Sequence, residues 1–544
     1  MKTSHLILLT FIFSLFFLSC QAKTPVISSI DPKIGRMGEV ITLTGSNFGE
    51  TRDMSYITVA GITPTSSSYF LWQDDTIMVK VPELGNSGIV FVYVKGKKSN
   101  GVLFSNIASV PRPIEGIGLG SEPNIISVNP QLGSPGTLVT INGINFGAAR
   151  DITHADAGVF FSWKFTPSTN NPFAVSEQEF VQVSENDFGY VSWSSRQIVV
   201  RVPDGAVSGN LEVRTPDGRS RPIFFDVTGR PGNKNFSDKR SYTVNYSVII
   251  RVLEATQPNT LNLWIPIPAN TPAQRNIRLV SRSIEPLTEN SNGANIYRLN
   301  NLTTGSNYSI NVSYQVDVHS IETVIRPVSV GRINSPLYEE YTISTNLIPA
   351  DNSLVYSTAE TITEGDQNPY IKARKIYDWL ISNITIVEPN QAASGNVTSA
   401  INQKRTDVYT MALLYSALMR ASDIPCVPVA GVLIDSNGQT IRHYWTEFWI
   451  DSFGWVPVDP ALGTGAIPPN FAAKEDHANY YFGNMDNQRI AFSWDQPTHS
   501  RLNRNSRTVS RRQSYSLQNI WEEAAGGLES YTSLWGDIVI SGIY

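Results

Sequence analysis

Two cysteines, Cys20 and Cys426, and six histidines, His5, His154, His319, His443, His477 and His499, are the residues of this 544-residue chain most able to do chemistry. Two cysteines cannot build a disulfide scaffold or a Cys-rich zinc site. The histidines are scattered and lack the His-x-x-x-His spacing that sets two imidazoles on one helix face for a metal. Thiol chemistry remains open. A thiolate is favoured at a helix N-terminus and beside an imidazolium. There it attacks an amide carbonyl while histidine moves protons and an acid orients the ring. Cys426 follows Ile424-Pro425, at the end of a helical pattern, where the dipole does not favour its thiolate. It reads as a small buried strand residue.

Cys20 stands in a different setting. Lys2 is followed by an apolar run, Leu6 to Leu18, broken only by Thr10 and Ser14. The run is shorter than the ~20 residues that span a bilayer as a helix, and suits a signal h-region. Leu18-Ser19-Cys20-Gln21-Ala22 then resembles a bacterial lipobox, with Cys20 as the lipidated residue. Ordinary secretion with cleavage after Ala22 is the rival reading. A lipid chain holds a protein at a membrane surface without a spanning helix. Lipidation of Cys20 leaves Cys426 as the one thiol of the mature chain.

The elements that would position a site lie in the second half. Ala373, Ile376, Tyr377, Leu380 and Ile384 form an apolar stripe behind Pro369. Val408, Met411, Ala412, Tyr415, Leu418 and Met419 share the face of a second helix over about 407–421, which Asp423-Ile424-Pro425 ends. Strands follow at Val427 to Ile434, His443 to Ile450 and Trp455 to Val458. Before them, residues 235–330 alternate: Val244, Tyr246, Val248, Ile250, Val252, then Ile310, Val312, Tyr314, Val316, Val318. That period-2 pattern predicts strands with one buried face.

The first half repeats itself. Pro32, Gly35, Gly38, Gly45 and Phe48 recur as Pro130, Gly133, Gly136, Gly143 and Phe146, 98 residues on. Val81-Pro82 and Ser87-Gly88 recur as Val202-Pro203 and Ser208-Gly209, 121 residues on, so the second copy carries a 23-residue insertion. Short β-branched runs between turn glycines imply small β-sandwiches. P-x-x-G-x-x-G followed by G-x-N-F-G resembles the IPT/TIG immunoglobulin-like family over 25–108 and 123–228. Rigid spacing is the plainer role of such modules, and ligand binding the sharper one.

Three motifs in order resemble the transglutaminase-like (papain-fold) family: Ala417 to Pro425, His443-Tyr444-Trp445-Thr446-Glu447, and Gly454-Trp455-Val456-Pro457-Val458-Asp459-Pro460. The 235–330 segment, with Leu263-Trp264-Ile265-Pro266-Ile267-Pro268, resembles the β domain that precedes this core in bacterial members. The resemblance implies His443 as base and Asp459 as orienting acid. It places the nucleophile at position 408, where this chain has valine. An isopropyl group has no lone pair and no ionisable proton. A metal bound by His443, Asp459 and Asp407 is a weaker alternative, and no cofactor is expected. Trp445, Trp449 and Trp455 read as core or as the wall of a groove.

The expected organisation is multidomain: tandem all-β immunoglobulin-like sandwiches, then an α+β papain-like/transglutaminase-like domain. Its parts are a lipoprotein-type signal peptide (1–22), sandwiches at 25–108 and 123–228, a β domain (235–330), a transglutaminase-like domain (340–495) and a tail (496–544). In the tail, Arg501, Arg504, Arg507, Arg511 and Arg512 suggest a solvated basic loop. Leu517, Ile520, Trp521 and Ala524 have helical spacing. A net charge of −5 argues against nucleic acid as a partner. The expected function is that of a degenerate envelope protein binding a peptide, glycan or protein at the cell surface. An active transglutaminase or amide hydrolase with an unconventional nucleophile is one alternative. An architectural spacer or adhesin is another.

Overall fold

The computed structural model describes residues 23–544 except 36–37, 83–86, 107–120, 153, 155, 166–177, 230, 332–335, 388–394 and 512–513. The signal-like segment, Cys20 and Arg512 therefore lie outside the described residues. The chain divides into two compact units, residues 1–120 and 121–544, each taken by itself below.

The first unit is a β-sandwich. One sheet runs Val26–Asp31, Val40–Ser46, Thr76–Lys80, Tyr69–Trp72 in spatial order. The other runs Ile34–Gly35, Val102–Asn106, Gly88–Val94, Tyr56–Val59. Alternation along the strands sends Ile41, Leu43, Ile57, Val59, Ile77, Val79, Val90 and Val92 into the space between the sheets, where each is fully buried.

The second unit begins with the same sandwich again: Asn124–Asn129, Leu138–Ile144, Gln197–Arg201, Tyr190–Trp193. The copies agree in side-chain detail. Trp72 and Trp193 donate through Nε1 to the carbonyls of Phe48 and Phe146, both at 2.9 Å. A Cβ at Gly45 would meet the Phe48 ring at 2.4 Å, and one at Gly143 the Phe146 ring at 2.3 Å. The repeated G-x-N-F is thus a packing unit, with the ring seated on the glycine. The insertion lengthens one strand to Gly158–Phe165 and adds a partner, Gln178–Gln182, at the sheet edge.

A 35-residue strand, Gly232–Pro266, then organises a large antiparallel sheet. Asn307–Ile325 pairs with its first part and Ala294–Asn300 with its last. The alternating residues Val244 to Val252 and Ile310 to Val318 all face one core.

The tail departs from expectation. Residues 517–524 are not helical. Glu522–Trp535 is a strand on the long strand, with Val248 opposite Trp535 and Leu263 opposite Glu522, and Val539–Ile543 follows it. A free sheet edge offered more hydrogen bonds than an isolated amphipathic turn could, so tertiary pairing overrode local spacing. The basic stretch is partly tied down too. Arg511 reaches buried Glu522 at 3.1 Å, and Arg507 donates to the Glu529 carbonyl.

The α+β domain has a four-stranded antiparallel sheet in the order Gly454–Val458, Thr440–Ile450, Cys426–Ile434, Arg489–Trp494. Its central helix, Val408–Ala421, starts at Asp407, whose side chain accepts from the Thr410 amide. Residues 409–420 are all buried, as expected of a helix apolar on every side.

The second sandwich is held to this domain by polar anchors. Asp187 accepts from Trp455 Nε1 at 2.8 Å. Lys234 Nζ bridges both oxygens of Asp204 and the Trp455 carbonyl at 2.5–2.8 Å. Within the α+β domain's own sheet, beside these anchors, Glu447 accepts from Trp494 Nε1 at 2.8 Å. Of the three carboxylates, Asp204 alone binds the ammonium, and Asp187 and Glu447 lie within its field. Burial, reinforced by the neighbouring carboxylates, pushes Asp187 and Glu447 up to about 7.

Two predictions follow from this architecture. Ending the chain at residue 511 strips a whole edge from the long strand. The truncated chain should be unfolded or insoluble, read by circular dichroism and gel filtration. Asp187 and Glu447 hold protons in the fold that they lose when unfolded, so stability should fall as pH rises from about 4 to 7 and level off above that. Asp187→Asn with Glu447→Gln should flatten that fall, measured as melting temperature against pH.

Candidate active site

Register brings the two predicted site residues together. Thr446 lies opposite Val458, which sets Asp459 level with Trp445. His443 is two residues from Trp445 and therefore on the same face. The imidazole and the Trp445 ring are nearly parallel, with centroids 6.4 Å apart. His443 Nε2 donates to Asp459 Oδ2 at 2.8 Å, since a carboxylate can only accept. The other ring nitrogen, Nδ1, is the one left for a substrate or nucleophile.

Asp459 is completely buried and His443 is 2% exposed. Three donors offset the cost of burying the carboxylate. Besides His443, Arg489 Nη1 reaches Oδ2 at 2.9 Å, and the Leu462 amide reaches Oδ1 at 3.0 Å. Burial alone would raise the Asp459 pKa. The imidazole and then the guanidinium outweigh it and hold the carboxyl below its usual range. Arg489 also binds Asp486, through Nη2 at 2.7 Å, and its guanidinium lies 5.0 Å from the Trp445 ring centre. The sequence expectation gives Arg489 no part in the site. An arginine on an apolar strand two residues after Asn487 was the available signal.

Val408 is the first residue of the central helix and packs, half-buried, against the core beneath it. The next residue, Tyr409, meets Tyr444 at 5.0 Å between ring centres. Tyr444 belongs to the helix-side core, whereas Trp445 belongs to the opposite one. The His443–Asp459 pair therefore occupies the sheet face turned away from Tyr444. Asp407 is engaged at the helix cap, its two oxygens accepting from the amide and the hydroxyl of Thr410 at 2.8 and 2.9 Å.

Cys426 is fully buried and lies opposite Phe448. His443 is five residues further back on the same strand, about 17 Å away at ~3.4 Å per residue and on the other face. Cys426 donates weakly to Ser416 Oγ at 3.7 Å, and burial pushes its thiol up to about 12. It is no partner for the imidazole. Trp445, Trp449 and Trp455 are each at most 4% exposed, so they are core residues rather than an open groove wall.

A histidine on a central strand is thus paired to an aspartate just past the next strand, in an α+β domain with one buried central helix. Residues 356–460 match the Transglutaminase-like superfamily, and residues 25–106 match the IPT/TIG domain. The chain thus carries an N-terminal IPT/TIG sandwich and a transglutaminase-like domain. An uncharacterised protein of Haemophilus influenzae is 23% identical over 305 residues, 46% of this chain and 78% of that protein. A cyclomaltodextrin glucanotransferase of Paenibacillus macerans is 31% identical over 79 residues, 14% of this chain and 11% of that enzyme. Among solved structures, a candidate cysteine protease from Cytophaga hutchinsonii overlaps 57% of this chain and 91% of its own, at 16% identity and a TM-score of 0.34. The periplasmic domain of TgpA from Pseudomonas aeruginosa overlaps 51% and 80%, at 13% identity and a TM-score of 0.24. Overlaps that slight carry no inference about activity.

The cluster predicts an order of sensitivity. Replacing Arg489 with Met leaves Asp459 and Asp486 short of their shared cation and should cost about 3–5 kcal/mol. His443→Ala leaves Asp459 still bonded to Arg489 and Leu462 and should cost about 1–3 kcal/mol. Urea unfolding of the two variants beside the parent checks the ranking.

Proposed function

We propose that this is a degenerate transglutaminase-like protein of the cell envelope that binds a peptide, glycan or protein and does not turn it over. The observation that carries the reading is position 408. The family-like nucleophile seat holds an isopropyl group, and the remaining thiol, Cys426, lies buried about 17 Å along the strand from His443. The closed surroundings of His443 support it, because a general base must come within hydrogen-bond reach of its substrate. On this reading His443, Asp459 and Arg489 form a buried polar brace, in which Arg489 is the cation that two carboxylates depend on.

The envelope assignment rests on the sequence from Lys2 to Ala22. We propose export across the inner membrane with Cys20 as the lipidated residue.

The test is turnover. Purified protein should release no ammonia from a glutamine peptide and incorporate no amine into it. Val408→Cys should gain a helix-terminal thiol that alkylates at lower pH than Cys426, because the helix dipole favours its thiolate. Turnover by the parent protein that disappears in His443→Ala would overturn the proposal.

A further inference from the structure

Trp445, Trp449 and Trp455 are core residues, but an exposed aromatic surface lies in the first sandwich. The outward face of its second sheet is built in rows. Tyr56 lies opposite Tyr93, and Tyr93 opposite Lys98. Thr58 lies opposite Phe91, and Ile89 opposite Leu103. Period-2 alternation turns these side chains away from the buried Ile57, Val59, Val90 and Val92. Tyr56, Ile89, Lys98 and Leu103 are exposed, and Phe91 and Tyr93 are half-buried.

The rings hold one another in place. Tyr56 and Tyr93 stack with centres 4.8 Å apart and planes at 11°. Lys98 Nζ lies 3.5 Å from the centre of the Phe91 ring and 5.9 Å from that of Tyr93. Phe91 lies over Gly101, where a Cβ would meet the ring at 2.8 Å, so the glycine makes room for it. Tyr56 stands on the edge strand, and Tyr93 is its one ring contact among the described residues. The hydroxyls of both tyrosines and the Lys98 ammonium have no hydrogen-bond or ion-pair partner there. Among the described side chains that alternate onto this face, none is a carboxylate. Glu50 and Asp53 belong to the loop before Tyr56.

The repeat supplies an internal comparison. In the second copy, 121 residues on, Ile89, Phe91 and Tyr93 are replaced by Asn210, Glu212 and Arg214. The inward Val90 and Val92 become Leu211 and Val213, and all four are buried. Arg214 Nε binds Glu212 at 2.6 Å. The sandwich thus requires apolar residues inside and tolerates a polar row outside. An aromatic row kept in water costs free energy that the fold does not recover, so it serves something beyond the sandwich. Size and charge select the occupant. Three columns ~4.8 Å apart and three rows ~7 Å apart make a flat area of roughly 10 by 14 Å. That is a small part of the ~800 Å² each partner gives to a stable protein interface. Rings with a hydroxyl rim and one unpaired ammonium match a sugar chain, whose C–H faces lie on rings and whose oxygens take the donors.

We propose that this sheet face of the first sandwich binds a glycan chain, with Tyr56 and Tyr93 against the sugar rings and Lys98 donating to hydroxyl or carboxylate oxygens. This goes beyond the reading above, which assigns no surface to the ligand. The two fail separately: that reading by turnover at His443, this one by binding at Tyr56.

The experiment is electrophoresis of the full chain in native gels cast with soluble polysaccharide, then calorimetry with each polysaccharide that retards it. Hydroxyethylcellulose, mixed-linkage β-glucan and galactomannan are the neutral probes, and polygalacturonate and alginate the acidic ones. Retardation by at least one supports the site, and the group that binds names the source. Tyr56→Ala should weaken the affinity roughly tenfold, the loss of one stacked ring. Lys98→Gln should weaken an acidic chain more than a neutral one. Both side chains are exposed, so both variants should melt like the parent. Arg214→Ala, in the second copy, should bind like the parent. Absence of retardation by all the probes overturns the proposal. So does equal binding by the parent and Tyr56→Ala. A parent that runs as a dimer in gel filtration, and as a monomer with Tyr56→Ala, overturns it too and gives the face to a second copy.

Discussion

One ionised carboxylate sets the terms for the transglutaminase-like domain. Asp459 has no contact with solvent, and a bare charge in such a place is ruled out by its desolvation cost. It must be met by cations and N–H groups. His443 comes from the neighbouring strand, Arg489 from the far edge strand, and the Leu462 amide from the turn that Asp459 itself caps. Three separate segments are thereby tied to one atom pair. Arg489 carries the tie onward to Asp486. An imidazole–carboxylate couple usually read as catalytic equipment is here also a cross-brace. Its presence is therefore poor evidence of turnover in a chain whose position 408 is valine.

The alternation of a β-strand explains why the site residues sort as they do. On Thr440–Ile450, Tyr444, Phe448 and Ile450 enter the core under the central helix, while Trp445 enters the core shared with the second sandwich. His443 goes with Trp445, and Cys426, opposite Phe448, goes with the helix. A single strand thus separates the base from the thiol both in face and in length. No side-chain rotation can cross a sheet, so the two groups are parted by backbone geometry.

The same sheet recruits its neighbours. Val432, Ile434, Ile490 and Phe492 pack with the long-strand sheet. The Gln274 side chain exchanges two hydrogen bonds with the Ala491 backbone at 2.8 Å. The second sandwich covers the Trp449–Trp455 corner, so the second copy of the repeat is built into the second unit. A module that looks like a spacer in sequence has become a wall.

The linear sequence determined what depends on short-range regularity. Duplicated glycine turns, period-2 strands and the 408–421 helix are local patterns, and a backbone can follow them without knowing its distant partners. His443 and Asp459 were legible because the strand register that joins them spans only a short hairpin. Tertiary structure decided what depends on remote partners. Arg489 became a site residue by crossing a sheet. Ala524, which shares helical spacing with Leu517, Ile520 and Trp521, joined a β edge because the long strand had unpaired amides to satisfy. Long-range burial creates charges that need partners, and no window of sequence contains both the charge and what covers it.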